Sequence, residues 1–519
     1  MKLNYKRTLC VGFAFFLICA FWQAYDNTIP LILTNKFGMS QTWSGLIMAL
    51  DNVLALFMLP LFGAISDRCK SKYGRRTPFI VVGTSLAAIA FMALALVDAH
   101  QLTNLDTINK IDDPASLETI YEMEKDESLL TPDGDAFVLS EFCSKEEFAA
   151  VTSTITNTEG TTITNPDYTR YVVPARQAAA RAITHQHPGT LILFIIILLI
   201  VLISMATFRS PAVALMPDVT MKPLRSKANA IINLMGSAGG IIVLGMGMVF
   251  GTSAVRNSLM SDTAYYAVIV GIMLVALVIF LLTVREPKFV KEMQADSVKY
   301  GISDEEEEAA DQQTGRKLTA AERRSLLFIL ASIVLWFFGY NAVTSKYSVY
   351  AQTILHKDYN LTLIIAQVAA IISYLPVGIV ASKVGRKKTI LAGVIMLAIA
   401  FGGAGFMRAG SPTMLMNALF ALAGIAWATI NVNSFPMVVE MCSGGDVGRY
   451  TGFYYTASMA AQVATPIVSG FLMDKMGLTV LFPYAFIFVT LAFITMLFVK
   501  HGDSKPEAKK GLEALDQDD

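Results

Sequence analysis

The chain has 519 residues, of which 54% are hydrophobic and only 16% charged, and its mean hydropathy is positive. It is too apolar for one soluble core and too long for one domain. Formal net charge is zero, so nothing global points to nucleic acid as a partner, and the placement of charge along the chain carries the information. The five cysteines, at 10, 19, 69, 143 and 442, lack the paired spacing of a metal site or a disulfide framework. No GxxxxGK loop ending in Ser or Thr is present for an ATP-driven pump. No metal and no cofactor are expected.

Twelve apolar segments occur in order, at roughly 8–34, 43–65, 78–97, 189–216, 228–250, 264–284, 325–347, 361–384, 389–407, 413–437, 450–473 and 480–499. Each is about the length an α-helix needs to cross ~30 Å of hydrocarbon. The N-terminus starts basic and then apolar, like a signal peptide. Its apolar run continues to about Leu33 without a small-residue cleavage pattern, and it reads as an uncleaved first span. An even number of spans puts both termini on one side. Lys2, Lys6, Arg7, the 63–77 loop, Lys222, Arg225, Lys227, Arg285, Lys288, Lys291, Lys383, Arg386, Lys387, Lys388 and Arg449 all fall on that side. The opposite short loops hold isolated bases such as Lys36, Arg256, Arg408 and Lys475. Short loops rich in Lys and Arg stay cytoplasmic, so the expected location is a multi-pass plasma-membrane protein with cytoplasmic termini.

Two segments do not span. Residues 98–188 carry 16 carboxylates against 6 lysines and arginines, and read as a poorly specified external excursion or small lid. Residues 285–324, with the Glu305 to Glu308 run, read as a solvated cytoplasmic linker, and 501–519 as a cytoplasmic tail. The remaining units, 1–284 and 325–500, would each be a bundle of six helices.

These halves repeat each other weakly. Span 1 holds Tyr25 and Asp26 where span 7 holds Tyr340 and Asn341, and Gly63 to Arg76 after span 2 is echoed by Gly378 to Lys388 after span 8. Span 4 ends near Asp218 with Arg225 downstream, as span 10 ends near Glu440 with Arg449 downstream. Such repeats mark transporters, with a cavity between the halves at mid-membrane and alternating access by rocking about it.

A charge at the centre of a span costs at least ~2.5 kcal/mol, so it needs a reason. Three lie clearly within the spans: Asp26, Asp51 and Arg209. Asp26 and Asp51 each lie about nine residues from the outer end of their span, ~13 Å deep at 1.5 Å per residue, in neighbouring antiparallel helices. Acids there could take up a proton outside and release it when a substrate or water path changes their surroundings, although simple hydrogen bonding to Gln23, Asn27 or Asn52 would also explain them. Arg209 falls nearer the cytoplasm, too deep by backbone arithmetic to pair with Asp26 directly unless helices tilt or break at Pro211, and its fork of donors suits substrate hydroxyls. Hydroxyl and ring recognition would draw on Trp22, Gln23, Tyr25, Tyr340, Asn341, Gln367, Trp427, Asn431, Asn433 and Tyr455, with Tyr454 and Gln462 also available. Together they make a polar, non-ionic pocket.

The stretch 63–80, GAISDRCKSKYGRRTPFI, adds a family likeness. Gly63, Asp67, Arg68, Gly74, Arg75 and Arg76 match the signature loop between helices 2 and 3 of the major facilitator superfamily. The four extra residues Cys69 to Lys72, followed by Thr77-Pro78-Phe79-Ile80, resemble the plant sucrose–proton symporters and the related animal sugar transporters. Residues 211–218 look like that branch's helix 4 motif. The animal members carry an acid near Asp26. The plant members lack it and have an arginine where this chain has Val213, with Arg209 one turn earlier. The resemblance implies an all-α membrane protein with the twelve-helix major facilitator fold and a loop that acts as a conformational latch. It further implies proton-coupled symport of a disaccharide or other glycoside. A proton-coupled exporter of amphipathic small molecules is the alternative, and Na⁺ the alternative coupling ion. The expected partners are a sugar, H⁺ and the lipid bilayer, with the protein a monomer and not an enzyme.

Overall fold

The computed structural model describes residues 3–156, 161–221, 224–300, 319–439 and 447–501. Lys222, the Glu305 to Glu308 run, Glu440 and the tail after His501 lie outside the described residues. Among the described residues, eleven helices are each long and apolar enough to cross a membrane, and the helix Tyr359–Val384 contains a shorter apolar stretch, Tyr359–Tyr374, counted here as the twelfth span.

Spans 1 to 6 are Tyr5–Asn35, Gln41–Asp67, Thr77–Asn104, Pro188–Asp218, Arg225–Phe250 and Thr263–Thr283. Spans 7 to 12 are Ala320–Tyr350, Tyr359–Val384, Arg386–Gly405, Thr413–Val439, Val447–Met476 and Leu481–Leu497. Their ends follow local chemistry. Ser40 accepts the Trp43 N–H at the start of span 2, and Thr319 with Glu322 forms a reciprocal capping box at the start of span 7. Lys387 donates to the carbonyls of Leu497 and Val499, closing the end of span 12.

Two cores result. Phe21, Phe91 and Tyr266 join spans 1, 3 and 6 at ring separations of 5.1 and 4.3 Å. Trp336, Tyr350, Phe401 and Phe482 lie in the second core, built by spans 7 to 12. Between the bundles, span 2 runs along span 11, span 5 along span 8 and span 1 along span 7.

The insertion differs from its expectation. Span 3 continues to Asn104, so Asp98 and Gln101 belong to a buried helix face rather than to a loop. Beyond it the chain folds into helices Pro114–Glu124 and Val173–Gln186 and two hairpins, Ser128–Leu130 with Ala136–Val138 and Thr154–Thr156 with Thr162–Thr164. Leu105, Ile108, Leu117, Ile120, Phe148, Tyr168 and Val172 form its own buried core. Arg176 is buried there, donating to the Ile108 carbonyl at 3.1 Å, and Asp112 accepts from the Ser153 N–H and hydroxyl. High acidity masked this core, because most of the carboxylates, Glu124 excepted, stand on its outer surface.

Candidate substrate cavity and coupling site

A cavity of about 490 Å³ lies between the bundles. Spans 1, 4 and 5 bring Trp22, Gln23, Asp26, Arg209 and Asn233 to it, and spans 7, 8 and 10 bring Tyr340, Gln367, Trp427 and Asn431. Tyr340 and Trp427 stack face to face, 3.5 Å between centroids and 3° between planes, with Phe337 edge-on to Trp427 at 5.2 Å. On the other side the Arg209 guanidinium sits 5.7 Å from the Trp22 ring centroid, within cation–π range. Among the described residues, Trp22 Nε1, Asn233 Nδ2 and Gln367 Oε1 are buried without a hydrogen-bond partner, so each keeps its capacity for a ligand hydroxyl.

A side chamber of about 170 Å³ adjoins it and shares Trp22, Asp26, Arg209 and Thr344. Asp51, Asn52, Asn341, Ser345 and Gln462 complete its polar lining. Asp51 accepts from the Asn52 N–H at 2.6 Å and from Asn52 Nδ2 at 2.7 Å, whereas Asp26 has no hydrogen bond among the described residues. Backbone depth kept Arg209 apart from Asp26, but the long arginine side chain brings its head group to the same chamber as both acids. No ion pair closer than 4.0 Å links them among the described residues, so the three groups share a polar space.

Three expected cavity residues lie elsewhere. Tyr25 is fully buried in the first core, stacked on Phe21 at 6.0 Å and edge-on to Trp22 at 5.3 Å, so it packs behind Trp22 rather than lining the cavity. Asn433 is fully buried and outside the cavity lining, its Nδ2 donating to the Thr429 carbonyl of its own helix. Tyr455 packs edge-on to Tyr454 at 5.6 Å and beside Phe435 in the second core. Asn233, Ser237, Thr344, Tyr347 and Tyr374 line the cavity without having been expected; a scan for polar residues in spans 5, 7 and 8 would have found them.

Charge in and beside the spans also exceeds the three residues expected. Lys36 is buried between Asp98 and Asp262, 2.7 Å from each, tying spans 1, 3 and 6 together at the insertion end. It is therefore paired rather than isolated. Lys346 in span 7 is completely buried and donates to the Gln41 carbonyl at 2.8 Å, and Asp474 in span 11 holds the start of span 2.

At the opposite end, the 63–77 loop is tied down by one acid from span 4 and one from just beyond span 6. Glu286 accepts the N–H groups of Arg75, Arg76 and Thr77 and the Thr77 hydroxyl at 2.8 to 3.1 Å, an anion at the N-terminus of span 3. Gly74, at φ 110°, has no room for a Cβ, which would lie 2.3 Å from that carboxylate. Arg75 and Arg76 both bond Asp218, and Arg76 also bonds Asp67, Ser66 and the Gly63 carbonyl. The bond to Asp218 holds the Arg75 pKa above its ordinary value. Arg68, grouped with Asp67 on sequence, is exposed and has no ion pair among the described residues. Glu286 was overlooked because it falls at the start of what read as a solvated linker; here it begins the helix Glu286–Lys299 and is buried.

Two six-helix bundles enclosing a polar cavity define a membrane transporter. The family model described as Major Facilitator Superfamily matches residues 178–373 and 355–516, and one described as MFS/sugar transport protein matches residues 10–103. The chain belongs to the major facilitator superfamily, a family of transporters rather than enzymes. A sucrose transport protein of Arabidopsis thaliana is 42% identical over 59 residues, 11% of this chain and 12% of that one. The proton-associated sugar transporter A of Homo sapiens is 35% identical over 88 residues, 17% of this chain and 11% of that one. These matches therefore span only about a tenth of the curated relatives' length. The inward-open xylose transporter XylE of E. coli superposes over 98% of both chains at a TM-score of 0.58 and 15% identity. A bacterial homologue of the iron transporter ferroportin, inward-facing, superposes over 96% of this chain and 100% of its own at 0.61 and 13%. At such identities the likeness shows the fold alone.

Proposed function

We propose that this protein carries a disaccharide or other glycoside across the plasma membrane together with a proton, by alternating access between its two bundles. The observation that carries this reading is the pairing of two unlike walls. One bundle presents two acids and an arginine, and the other an uncharged surface of stacked rings and amides. A sugar offers both an apolar C–H face for the Tyr340 and Trp427 shelf and hydroxyls for Trp22, Gln23, Asn341, Gln367, Asn431 and Arg209. The cavity volume, about 490 Å³, falls in the ordinary range for small-molecule sites and leaves room for more than one sugar ring. Asp26 and Asp51 are the proton-binding groups. Arg209 is the charge whose hold on them or on substrate changes when a proton arrives. The polarity of the lining favours a glycoside over an amphipathic export substrate.

The basic loops and the latch built on Gly63, Asp67, Gly74, Arg75 and Arg76 are cytoplasmic on this reading, with both termini, and the insertion is external. Support for the sugar comes from the sucrose and sugar transporters matched above. The test is uptake of labelled sucrose, maltose and glucose into proteoliposomes with and without an inward proton gradient. Disaccharide accumulation driven by the gradient and abolished by a protonophore is expected; uptake confined to glucose, or indifferent to the gradient, contradicts the reading.

A further inference from the structure

Among the described residues, the hydrogen bonds found between the bundles lie at the end that carries the insertion. Asp474 of span 11 caps the start of span 2: its carboxylate accepts the Gln41 N–H at 2.7 Å, the Thr42 N–H at 2.8 Å and the Thr42 hydroxyl at 2.5 Å. An aspartate on two free N–H groups of a helix N-terminus is a charge-assisted contact. Lys346 of span 7 donates to the carbonyl of the same Gln41. Spans 2 and 11 touch backbone to backbone here, since a Cβ on Gly45 would lie 2.0 Å from the Pro466 carbonyl oxygen and one on Gly470 2.2 Å from that of Gln41. Asn35 to Gln352, Gln352 to the Ala254 carbonyl, and Tyr359 and Asn360 to Thr252 continue the seam.

The insertion lies over this seam. It is continuous with spans 3 and 4, and Arg181 and Gln177 fix it to Gly38 and Asn35 of the first bundle. The turn of its first hairpin, Thr131 to Asp135, reaches the second bundle just past Asp474. There the Leu478 N–H donates to the Pro132 carbonyl at 2.7 Å, and Gly477 packs against the backbone of Asp133 and Gly134. A domain with its own core is thus rooted in one bundle and seated on the other.

We propose that the insertion is an external strap that holds the bundles closed over the cavity, and that outward opening unseats its hairpin from residues 476–478. As span 2 then withdraws, Lys346 and Asp474 exchange it for each other. Both charges belong to the second bundle and both are satisfied by the first: Lys346 has one acceptor and Asp474 three donors, all on Gln41 and Thr42, among the described residues. A buried charge stripped of its partner is costly. Having flanked the same residue, the two are the nearest replacements for one another, so the open state keeps its charges paired. This inference rests on the alternating-access reading and on the insertion being external.

The test places spin labels at Arg256→Cys and Arg408→Cys, on the insertion end of either bundle, in a background with the native cysteines changed to serine. Distances are compared with and without Gly134→Leu, whose side chain would collide with the Met476 carbonyl, and with and without Asp474→Asn. Gly134→Leu is expected to add a population with labels several Å further apart; Asp474→Asn, which removes the closed-state cap and the open-state partner of Lys346 together, is expected to add less of it, and opening equal to that of Gly134→Leu overturns the exchange. A folded Gly134→Leu protein with the original distance distribution overturns the proposal. In a second arm Pro132→Cys and Leu478→Cys are joined by a short bismaleimide in proteoliposomes. Transport is expected to stop, and transport at the unlinked rate also overturns the proposal. The distance arm needs no substrate, so failure of the sugar reading would leave it standing.

Discussion

In the first bundle the middle of span 1 brings Trp22 and Asp26 to the cavity and turns Tyr25 into the core. In the second, the matching stretch of span 7 brings Tyr340 to the cavity and Asn341 to the side chamber beside Asp51. Equivalent positions have thus been put to different uses. The charged groups of the cavity, Asp26, Asp51 and Arg209, all come from the first bundle, and the flat ring shelf comes from the second. On the proposed reading, the difference divides symport: proton arrival would change charge on one wall, while the other wall would keep an unchanging surface for the solute. On that reading the substrate touches both walls, and neither bundle alone would complete the site.

The largest effect should come from breaking the charged wall at its cation. Arg209→Ala leaves two acids without their counter-charge and should lower the initial rate of gradient-driven uptake on the order of a hundredfold. Arg209→Lys should restore only part of it, because an ammonium lacks the planar fork. Next comes the neutral wall. Trp427→Ala removes half of the stacked shelf and should raise KM about tenfold, ~1.4 kcal/mol, with the response to the proton gradient unchanged. A loss of gradient response in that variant would break the division between the bundles.

A smaller effect is expected where both walls are left alone. Glu286→Ala strips the acceptor from three backbone N–H groups at the start of span 3 and should cost about 1–3 kcal/mol of stability, read as a lower melting temperature in detergent. Its KM should stay near wild type. Least of all, Tyr455→Phe and Asn433→Ala should change KM by less than about twofold, since one side chain packs in the core and the other bonds its own helix. A large rise in KM for either would mean that the cavity extends past Trp427 and Asn431.

The twelve spans and the charge asymmetry of their loops were legible in the sequence, since length and hydropathy are one-dimensional properties. Which face of a span meets the cavity was not. A span buried or lipid-covered all round has no polar side to betray its orientation, so Tyr25 could not be told from Trp22, nor Asn433 from Asn431. The latch residues stood out as a motif, but their acid partner Glu286 is 210 residues from Arg76 and carried no local signal. Lys346, Asp98 and Asp474 sit near span ends, where charge ordinarily reaches water, and only the packing reveals them as buried or bonded across the seam. The insertion hid its core for a related reason, its apolar residues being spaced among carboxylates that together read as solvated chain.

The division of labour is tested most directly by Asp26→Asn, assayed twice in the same proteoliposomes for accumulation against a sugar gradient and for exchange of internal for external sugar at equal pH. Losing a proton site while keeping the ring shelf should abolish the first and preserve the second. If the variant still accumulates sugar at the wild-type level under an inward proton gradient, Asp26 does not carry the proton and the account of the two walls fails.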